Sequence, residues 1–494
     1  MLDKKIDRRC FLKAGSVAAI CAGTLAMRFS LPTLSFAGEK PIPPPDLKEP
    51  VKPFVINAML HNKASALLRL ETGPGLGCTE PAAIGLSAAA AASLFKDRTF
   101  DAIEVTTDPN IFKNAMGVII PGSGGECGIP LASAMGAASG DPGLKLQVFA
   151  KMDPQKLATA KRLIREGKVS AKMTKDHPGL YVRTVIRGAG HRAEAVITGQ
   201  HDHIALLSWD GKPQYGHPLL GAAAKEDGNL SELEAWLLSL SLTDMVALLD
   251  NLDENDLSYI REGIAMNSKL VEYGMAQAPG LGVAMAQNRL IQQGFLAKDM
   301  ATWAGVMTAA GVDSRMGGAM LPAMTLAGSG NQGITSSIPI WTVSEFTGNR
   351  DRRLVCRAVA LSYLITCTIK AHAGRLSALC GSGVAGGAGV AAGVAYLRGG
   401  NVNHIGGAIK NHLETFATVI CDGAKTSCAL KLGEAATAAV KSALLSLQGT
   451  VVKYQDGFID KSPEKTMLNM GRLSREGLSC MDPVILDIML NKGA

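Results

Sequence analysis

The stretch GSGVAGGAGVAAG, residues 381–393, consists of glycine, alanine and valine with a single serine. Residues without a Cβ let a helix lie close to its neighbours, so the stretch is suited to close helix packing around an inorganic centre that side chains would obstruct. The whole chain has the same character, with 55 glycines and only 5% aromatic residues among 494. This composition predicts closely packed helices and backbone-lined sites, and it disfavours nucleic-acid recognition by base stacking.

Strand-like patterns are confined to the first half of the chain. Short β-branched or alternating runs lie between residues 101 and 209, namely FDAIEVTTD, LKLQVFA, LYVRTVIRG, HRAEAVITG and HIALLSWDG. After Pro218 such runs largely vanish, and amphipathic segments alternate with glycine-rich breaks. The predicted fold class is therefore α+β, with an N-terminal α/β domain at 54–215 followed by a mostly α-helical, Gly/Ala-rich catalytic domain at 216–494.

The first 37 residues predict export. Arg8-Arg9, a weakly apolar stretch and the sequence SFA ending at Ala37 resemble a twin-arginine signal peptide with cleavage after Ala37. A Pro-rich linker follows at 38–53, and the apolar stretch is shorter than the ~20 residues of a membrane span. We therefore expect a periplasmic protein, exported folded by the twin-arginine translocation machinery and not integral to the membrane once processed. Without residues 1–37, which hold six Lys or Arg and two Asp, the net charge falls from +7 to +3, so no nucleic-acid patch is implied.

Three cysteines lie in glycine-rich surroundings in the second half: Cys380, Cys421 and Cys428. Three converging thiolates can hold an iron–sulfur cluster by three corners and leave the fourth iron open. Their spacing matches no standard ferredoxin or zinc pattern, and small buried thiols are also common in helical cores, so both interpretations remain open. The sequence GSGVAG after Cys380 formally matches a dinucleotide fingerprint, but it follows a helical pattern where a strand is required. Disulfides are a weaker alternative, since a domain of this size does not need them.

Two further segments could contribute to a site. The loop GSGNQG, residues 328–333, is typical of a turn that opens a helix, whose backbone N–H groups could bind a carboxylate, although an ordinary glycine-rich loop fits equally well. A helix through 56–70 is interrupted at GPGLG and resumes after Pro81. Cys78 then precedes a helix N-terminus, where the dipole lowers a thiol pKa, so it is either reactive or an inert capping-region cysteine.

His201 and His203 end a predicted strand, and their spacing would suit a metal pair. A solvated pair at the end of a loop is the favoured interpretation, because no third ligand stands out nearby. No lysine lies in a convincing pyridoxal-phosphate context. The remaining cysteines of the mature chain are interpreted as packing residues: Cys127, Cys356, Cys367 and Cys480.

Six blocks of sequence, spread over residues 54–490, together resemble the L-cysteine desulfidase family, relatives of the iron–sulfur L-serine dehydratase α-chains. The blocks occur in the family's order: GLGCTEPAAIGL, NAMGVIIPGSGGECGIPLASAMGA, DSRMGG, AGSGNQGITSSIPI, GRLSALCG and CDGAKTSCALK. The resemblance implies a 4Fe-4S enzyme that works without pyridoxal phosphate. Such an enzyme eliminates the β-substituent of a small L-amino acid, giving pyruvate and ammonia with sulfide from cysteine or water from serine.

The resemblance also implies roles for particular residues. The cluster ligands of the family carry over to Cys380, Cys421 and Cys428, and a further functional cysteine, as base or ligand, carries over to Cys78. The chain departs from the family in two respects. The family is generally cytoplasmic, whereas this chain carries an export signal, and Ser382 stands where another cysteine often follows.

The expected mechanism uses an open cluster iron as a Lewis acid and Cys78 as the base for the Cα proton. Ser329, Asn331 and nearby backbone N–H groups would hold the substrate carboxylate, with Arg315 or Arg375 assisting by charge. L-Cysteine is the expected substrate, and an L-serine dehydratase is the first alternative. A non-catalytic periplasmic protein that binds amino acids or senses redox state is the second. A homodimer is compatible with each of these.

Overall fold

The structure, a computed structural model, describes residues 58–492 apart from 178, 221–222 and 350. The predicted signal peptide and linker lie outside the described residues. The helices are α1 (Ala58–Glu71), α2 (Thr79–Ala92), α3 (Pro109–Ala115), α4 (Ile129–Ser139), α5 (Pro154–Arg165), α6 (Ala223–Leu238), α7 (Leu242–Leu248), α8 (Glu254–Gln277), α9 (Val283–Gln292), α10 (Met300–Met316), α11 (Gly330–Phe346), α12 (Arg352–Ala373), α13 (Gly387–Leu397), α14 (Val402–Phe416), α15 (Cys428–Leu447), α16 (Pro463–Arg472) and α17 (Met481–Leu490).

The strands are β1 (Thr72–Leu76), β2 (Ala102–Thr107), β3 (Val169–Met173), β4 (Tyr181–Gly188), β5 (His191–Thr198), β6 (Ile204–Trp209), β7 (Lys212–Pro213) and β8 (Pro322–Leu326). Strands β2 to β7 form one sheet in the order β3-β2-β4-β5-β6-β7, in which only the β2–β3 pair is parallel. Helix α2, which is alanine-rich and buried along its whole length, packs against β4 and β5 of this sheet. The small side chains of α2 explain how a helix can lie flat on the sheet.

Strands β1 and β8 form a separate antiparallel pair that joins distant parts of the chain. Thr72 lies opposite Leu326, and Leu76 lies opposite Pro322. The GPGLG segment interrupts the helical pattern as expected, but it does so as a strand, because β8 supplies hydrogen-bonding partners that the local sequence does not reveal. This pair connects the segment that precedes α2 to the segment that leads into α11.

One strand prediction was wrong, and strand β3 was missed. The run LKLQVFA forms a short 3₁₀ helix over Pro142–Gln147, since Pro142 fixes its first turn and the Asp141 side chain accepts a hydrogen bond from the N–H of Gly143 at 3.1 Å. Strand β3 was not predicted. Its sequence VSAKM does alternate between apolar and polar residues, but the strand is short, lies at the edge of the sheet and is only partly buried.

Helices dominate the chain from residue 223 onward, and α10, α11, α12, α13 and α15 pack against one another. Helix α12 is the one helix among the described residues that is long and apolar enough to cross a membrane. Its most apolar window is 83% buried inside the protein, as is typical of a core helix.

The predicted fold class is confirmed: the structure is mixed α and β, with 58% helix and 12% strand, and the sheet precedes a mostly helical part. The described residues all belong to one compact unit. The boundary between residues 215 and 216 stays a prediction.

Candidate active site

Cys380, Cys421 and Cys428 line one and the same pocket. Two backbone hydrogen bonds hold the first two cysteines side by side. The N–H of Cys380 donates to the carbonyl of Val419 at 2.9 Å, and that of Cys421 donates to the carbonyl of Ala378 at 2.7 Å. Cys428 is the first residue of α15. The three predicted ligands therefore converge although 48 residues separate the first from the last.

Three cysteines that line one pocket are the donor type that holds iron–sulfur clusters. No three His, Cys, Asp or Glu side chains in the described part of the chain are grouped closely enough to bind one metal ion. Burial raises the pKa of Cys380 to about 12, and the neighbouring Cys421 and Cys428 thiols add to the rise. Lys431 and Lys370 lie within electrostatic range of these thiols and would balance thiolate charge. The three sulfurs would have to lose their protons to serve as cluster ligands.

Cys78 lies in the same pocket, directly before α2, as the sequence predicts. Its Sγ donates a hydrogen bond to Oε2 of the buried Glu80 at 2.8 Å. The expectation of a lowered pKa was wrong: burial raises the pKa of Cys78 well above its ordinary value, and the Glu80 carboxylate raises it further. These two effects outweigh the dipole of α2. Cys78 is therefore a neutral thiol.

Glu80 is held in place by three hydrogen bonds. Besides Cys78, the hydroxyl of Thr79 donates to Oε2 at 3.1 Å and the amide of Asn114 donates to Oε1 at 3.0 Å. Burial alone would raise the pKa of Glu80, but its electrostatic interaction with His201, the hydrogen bond from Cys78 and the charge of Arg315 hold it below its ordinary value. Glu80 is thus a carboxylate next to the Cys78 thiol.

Arg315, at the end of α10, is 2% exposed and faces the same pocket. Its Nη1 donates to Oδ1 of Asn331 at 2.9 Å, whereas Nε and Nη2 have no hydrogen-bond partner among the described residues. Gly330 makes this position possible, because a Cβ there would lie 2.2 Å from Nε of Arg315. A buried guanidinium with free donors is an anion site, since leaving it unpaired is costly.

The GSGNQG loop opens α11 as predicted. Ser329 caps the helix, and its Oγ accepts a hydrogen bond from the N–H of Gln332 at 3.4 Å. Ser329 and Asn331 both line the pocket. Arg375 lines it as well, but its guanidinium already pairs with Glu71 at 2.7 Å and Glu234 at 3.3 Å. Of the two predicted arginines, Arg315 is therefore the one with donors available for a substrate.

His201 was predicted to be solvated, and this was wrong. It lies in the turn between β5 and β6, is 6% exposed and lines the pocket, and its Nε2 has no partner among the described residues. His203 does not line the pocket and places Nδ1 3.1 Å from the carbonyl of Thr198. The turn brings only one of the two imidazoles to the site, so the sequence spacing alone was misleading.

Lys370 is a pocket residue that the sequence analysis missed. It lies in the buried part of α12, and its Nζ donates to the carbonyl of Arg375 at 2.8 Å. Burial, followed by the charge of Arg375, lowers the pKa of Lys370 to about 8. A lysine that directly follows the long, mostly apolar stretch of α12 was the signal that could have identified it.

The other cysteines divide into two classes. Cys356 and Cys367 are buried, as predicted for packing residues, whereas Cys127 and Cys480 are exposed, so that prediction was wrong for these two. All eight cysteines in the described part of the chain are free.

The chain resembles known proteins over most of its length. The family model described as serine dehydratase alpha chain matches residues 145–487. UPF0597 protein DP0591 of Desulfotalea psychrophila is 48% identical over 427 residues, which cover 86% of this chain and 98% of the relative. UPF0597 protein CD630_32320 of Clostridioides difficile is 33% identical over 423 residues, covering 86% and 98%. The matched range includes the three clustered cysteines, Arg315 and His201. Because the match spans more than half of the chain, the protein belongs to the serine dehydratase alpha chain family and is a lyase-type enzyme related to the UPF0597 proteins.

Proposed function

We propose that this protein is an iron–sulfur lyase, independent of pyridoxal phosphate, that converts L-cysteine and water to pyruvate, ammonia and sulfide by α,β-elimination. The observation that carries the proposal is one pocket that combines three converging cysteines with the unpaired donors of Arg315. Members of the family generally depend on an iron–sulfur cluster and not on pyridoxal phosphate, which supports the same assignment.

Cys380, Cys421 and Cys428 would hold a 4Fe-4S cluster. When bound, this cluster supplies an open iron that acts as a Lewis acid toward the substrate. Nε and Nη2 of Arg315 bind the α-carboxylate, and the hydrogen bond from Arg315 Nη1 to Asn331 keeps the guanidinium aimed at the pocket. The hydroxyl of Ser329 and the first turn of α11 provide further donors on the same side.

Cys78 is the proposed base for the Cα proton. It can act only after its own proton has left Sγ, and Oε2 of Glu80 is the acceptor within hydrogen-bond distance. This transfer is uphill, because burial raises the pKa of Cys78 while the pKa of Glu80 lies below its ordinary value. Lys370 is the alternative base, since its pKa of about 8 leaves part of it neutral near neutral pH. The aminoacrylate that results from elimination hydrolyses to pyruvate and ammonia without further help.

L-Serine is the second candidate substrate, favoured by the description of the matched family. Loss of water from serine needs the same base, carboxylate site and Lewis acid as loss of sulfide from cysteine. The two substrates therefore have to be compared directly in one preparation.

The test is anaerobic purification of the full chain, followed by pyruvate and sulfide assays with L-cysteine and a pyruvate assay with L-serine. The proposal predicts equal amounts of pyruvate and sulfide from L-cysteine, at a higher kcat/KM than for serine. Pyruvate from L-serine alone would make the enzyme a serine dehydratase. An iron-loaded protein that releases pyruvate from neither substrate would contradict the proposed lyase activity.

We further propose that the chain is exported folded through the twin-arginine machinery and cleaved after Ala37. The twin arginines and the SFA sequence before Gly38 support this proposal. Changing Arg8 and Arg9 to lysine should keep the uncleaved chain in the cytoplasm when cell fractions are compared. Cleavage and export of that variant would contradict it.

A further inference from the structure

The pocket contains a buried imidazole that the proposed elimination does not use. His201 is 6% exposed, and Nε2 is buried without a hydrogen-bond partner among the described residues. An unpaired buried polar atom is costly in a folded protein and calls for an explanation. The same pocket contains Cys78 and Arg315, so a substrate lying there is the natural partner for Nε2.

The loop that opens α11 fixes the position of this ring. A Cβ on Gly328 would lie 3.2 Å from Nδ1 and 3.3 Å from Cε1 of His201, and Gly328 has a φ of +77° that favours glycine. The backbone at residue 328 therefore packs against the Nδ1 edge of the imidazole. Ser329 and Asn331, which lie on the proposed carboxylate side, belong to the same loop, so His201 and the carboxylate site are held at a fixed separation.

Groups of opposite charge line the pocket. Arg315 contributes a cation with free donors, whereas His201 lies close enough to the Glu80 carboxylate for the two to interact electrostatically. Burial lowers the pKa of His201, which favours a neutral ring whose unprotonated nitrogen can accept a hydrogen bond. An α-amino acid zwitterion has the matching pattern, with its carboxylate toward Arg315 and its ammonium toward His201 and Glu80.

We propose that His201 accepts a hydrogen bond from the α-amino group of the substrate and thereby selects α-amino acids over acids that lack this group. The inference rests on the proposed function, because it places the substrate carboxylate at Arg315. It assigns a specificity role to a residue that takes no part in the elimination itself.

The test compares two unreactive ligands that differ only in the amino group. L-2-Aminobutanoate has a methyl group in place of the cysteine thiol, and butanoate lacks the amino group as well. Binding of each ligand to the anaerobically purified full chain is measured by calorimetry, which does not require turnover. We expect the wild type to bind the amino ligand at least about tenfold more tightly, because hydrogen bonds that involve a charged group are worth about 1.5–3 kcal/mol, or roughly 10- to 150-fold in affinity.

The informative variant is His201→Leu, which should weaken binding of L-2-aminobutanoate about tenfold or more and leave butanoate within about twofold. His201→Gln retains an acceptor and should recover part of the preference, and it serves as the test if the leucine variant does not fold. His203→Gln, two residues away and outside the pocket lining, is the matched control and should behave as the wild type.

Equal weakening of both ligands in His201→Leu would show a structural role and overturn the proposal. A wild type that binds the two ligands equally would overturn it as well. If the wild type prefers the amino ligand and His201→Leu loses this preference, but no pyruvate forms from either substrate, the inference stands while the proposed lyase activity fails. If neither ligand binds, the pocket is not an amino-acid site and the inference fails.

Discussion

At the scale of single residues, Arg315 indicates a binding site, because burying its unpaired donors costs free energy. Two of its three guanidinium nitrogens are buried without a hydrogen-bond partner in the part of the chain that the structure describes, and a substrate carboxylate would satisfy them. Natural proteins tolerate such strain at sites where binding or catalysis requires it.

We expect Arg315→Met to separate activity from stability. Removing an unpaired buried charge should leave the free energy of unfolding unchanged or raise it, whereas KM for the amino acid should rise about 10- to 100-fold through the lost charged hydrogen bonds. Urea unfolding and steady-state kinetics measure the two effects. Arg98→Met is a control for which we expect the reverse pattern. Arg98 donates hydrogen bonds to the carbonyls of Ala137 and Gly140, so its loss should lower the free energy of unfolding and leave KM unchanged. A destabilised Arg315→Met variant with normal KM would contradict this account.

Cys78→Ala should retain iron and lose turnover. The proposed base contributes about 10²- to 10⁴-fold in rate, so kcat should fall by at least two orders of magnitude while the visible absorbance of the cluster persists. Cys367→Ala is the matched control, because this cysteine is equally buried but does not line the pocket. Joint loss of iron and turnover in Cys78→Ala would make Cys78 a cluster ligand instead.

At this scale the sequence predicted residues that belong to contiguous patterns. The three cysteines, Cys78 and the Ser329 loop were found because each lies in a recognisable local block. Residues brought in only by the tertiary fold were missed or misread: Glu80 and Lys370 have no role in the sequence interpretation, and His201 was expected in solvent. Their place in the site depends on tertiary contacts, such as the one between Glu80 and His201, which local patterns do not encode.

The glycine-rich helix α13 illustrates the scale of elements. A Cβ on Gly389 would lie 2.4 Å from the carbonyl oxygen of Ser362 in α12, and one on Gly393 would lie 2.6 Å from that of Ala358. These glycines let α13 approach α12 to a distance that alanine would prevent. The sequence correctly predicted close helix packing here, but it did not show that these two glycines face a neighbouring helix.

We expect Gly389→Ala to lower the free energy of unfolding by about 1–3 kcal/mol, because α12 and α13 would have to separate. Gly73→Ala is the matched control: it lies in β1, and a Cβ there would have no atom within 4 Å. Its effect should stay within about 0.5 kcal/mol. Equal unfolding free energies of the two variants in urea would show that close packing at α13 does not contribute to stability.

The strands show where the prediction of secondary structure from sequence fails. Strands β4, β5 and β6 were predicted from alternation, since one face of each packs on a core. Strand β1 was not, because GPGLG has low strand propensity and pairs only through the distant β8. The run LKLQVFA has the alternation of a strand, but the proline and aspartate before it impose a helical turn.

At the scale of the molecule, a buried histidine that contacts Gly383 should make the free energy of unfolding depend on pH. His412 is fully buried, and its Nε2 donates to the carbonyl of Gly383 at 2.9 Å. Burial lowers the pKa of His412 to about 4, below the 6.5 of an unfolded chain. Between these values the unfolded chain binds a proton that the folded chain does not, so stability falls as the pH falls from about 6.5 to 4.

The wild type should therefore lose up to about 3 kcal/mol more than His412→Gln between pH 7 and pH 4, since one pKa unit corresponds to about 1.4 kcal/mol. Urea unfolding of both proteins at each pH measures this difference. The same pH dependence in wild type and variant would mean that His412 is protonated in the folded protein at acidic pH.

The general organisation of the chain was predictable, because the sequence pattern changes from strand-like in the first half to helical in the second. The site was only partly predictable. Its groups come from α2, α10, α11 and α12, from the β5–β6 turn and from the cysteine segments, and only the fold brings them together. The family match supports the lyase chemistry, while the arrangement of the pocket supports the individual roles.

The central claim is that Cys380, Cys421 and Cys428 hold an iron–sulfur cluster, and iron content tests it most directly. The iron and acid-labile sulfide of anaerobically purified wild type are compared with those of the three single alanine variants and of Cys367→Ala. The account predicts that the wild type and Cys367→Ala contain a full cluster with its visible absorbance, and that each of the other variants loses it. A full cluster in any of these three variants, or a wild type without iron, would contradict the account.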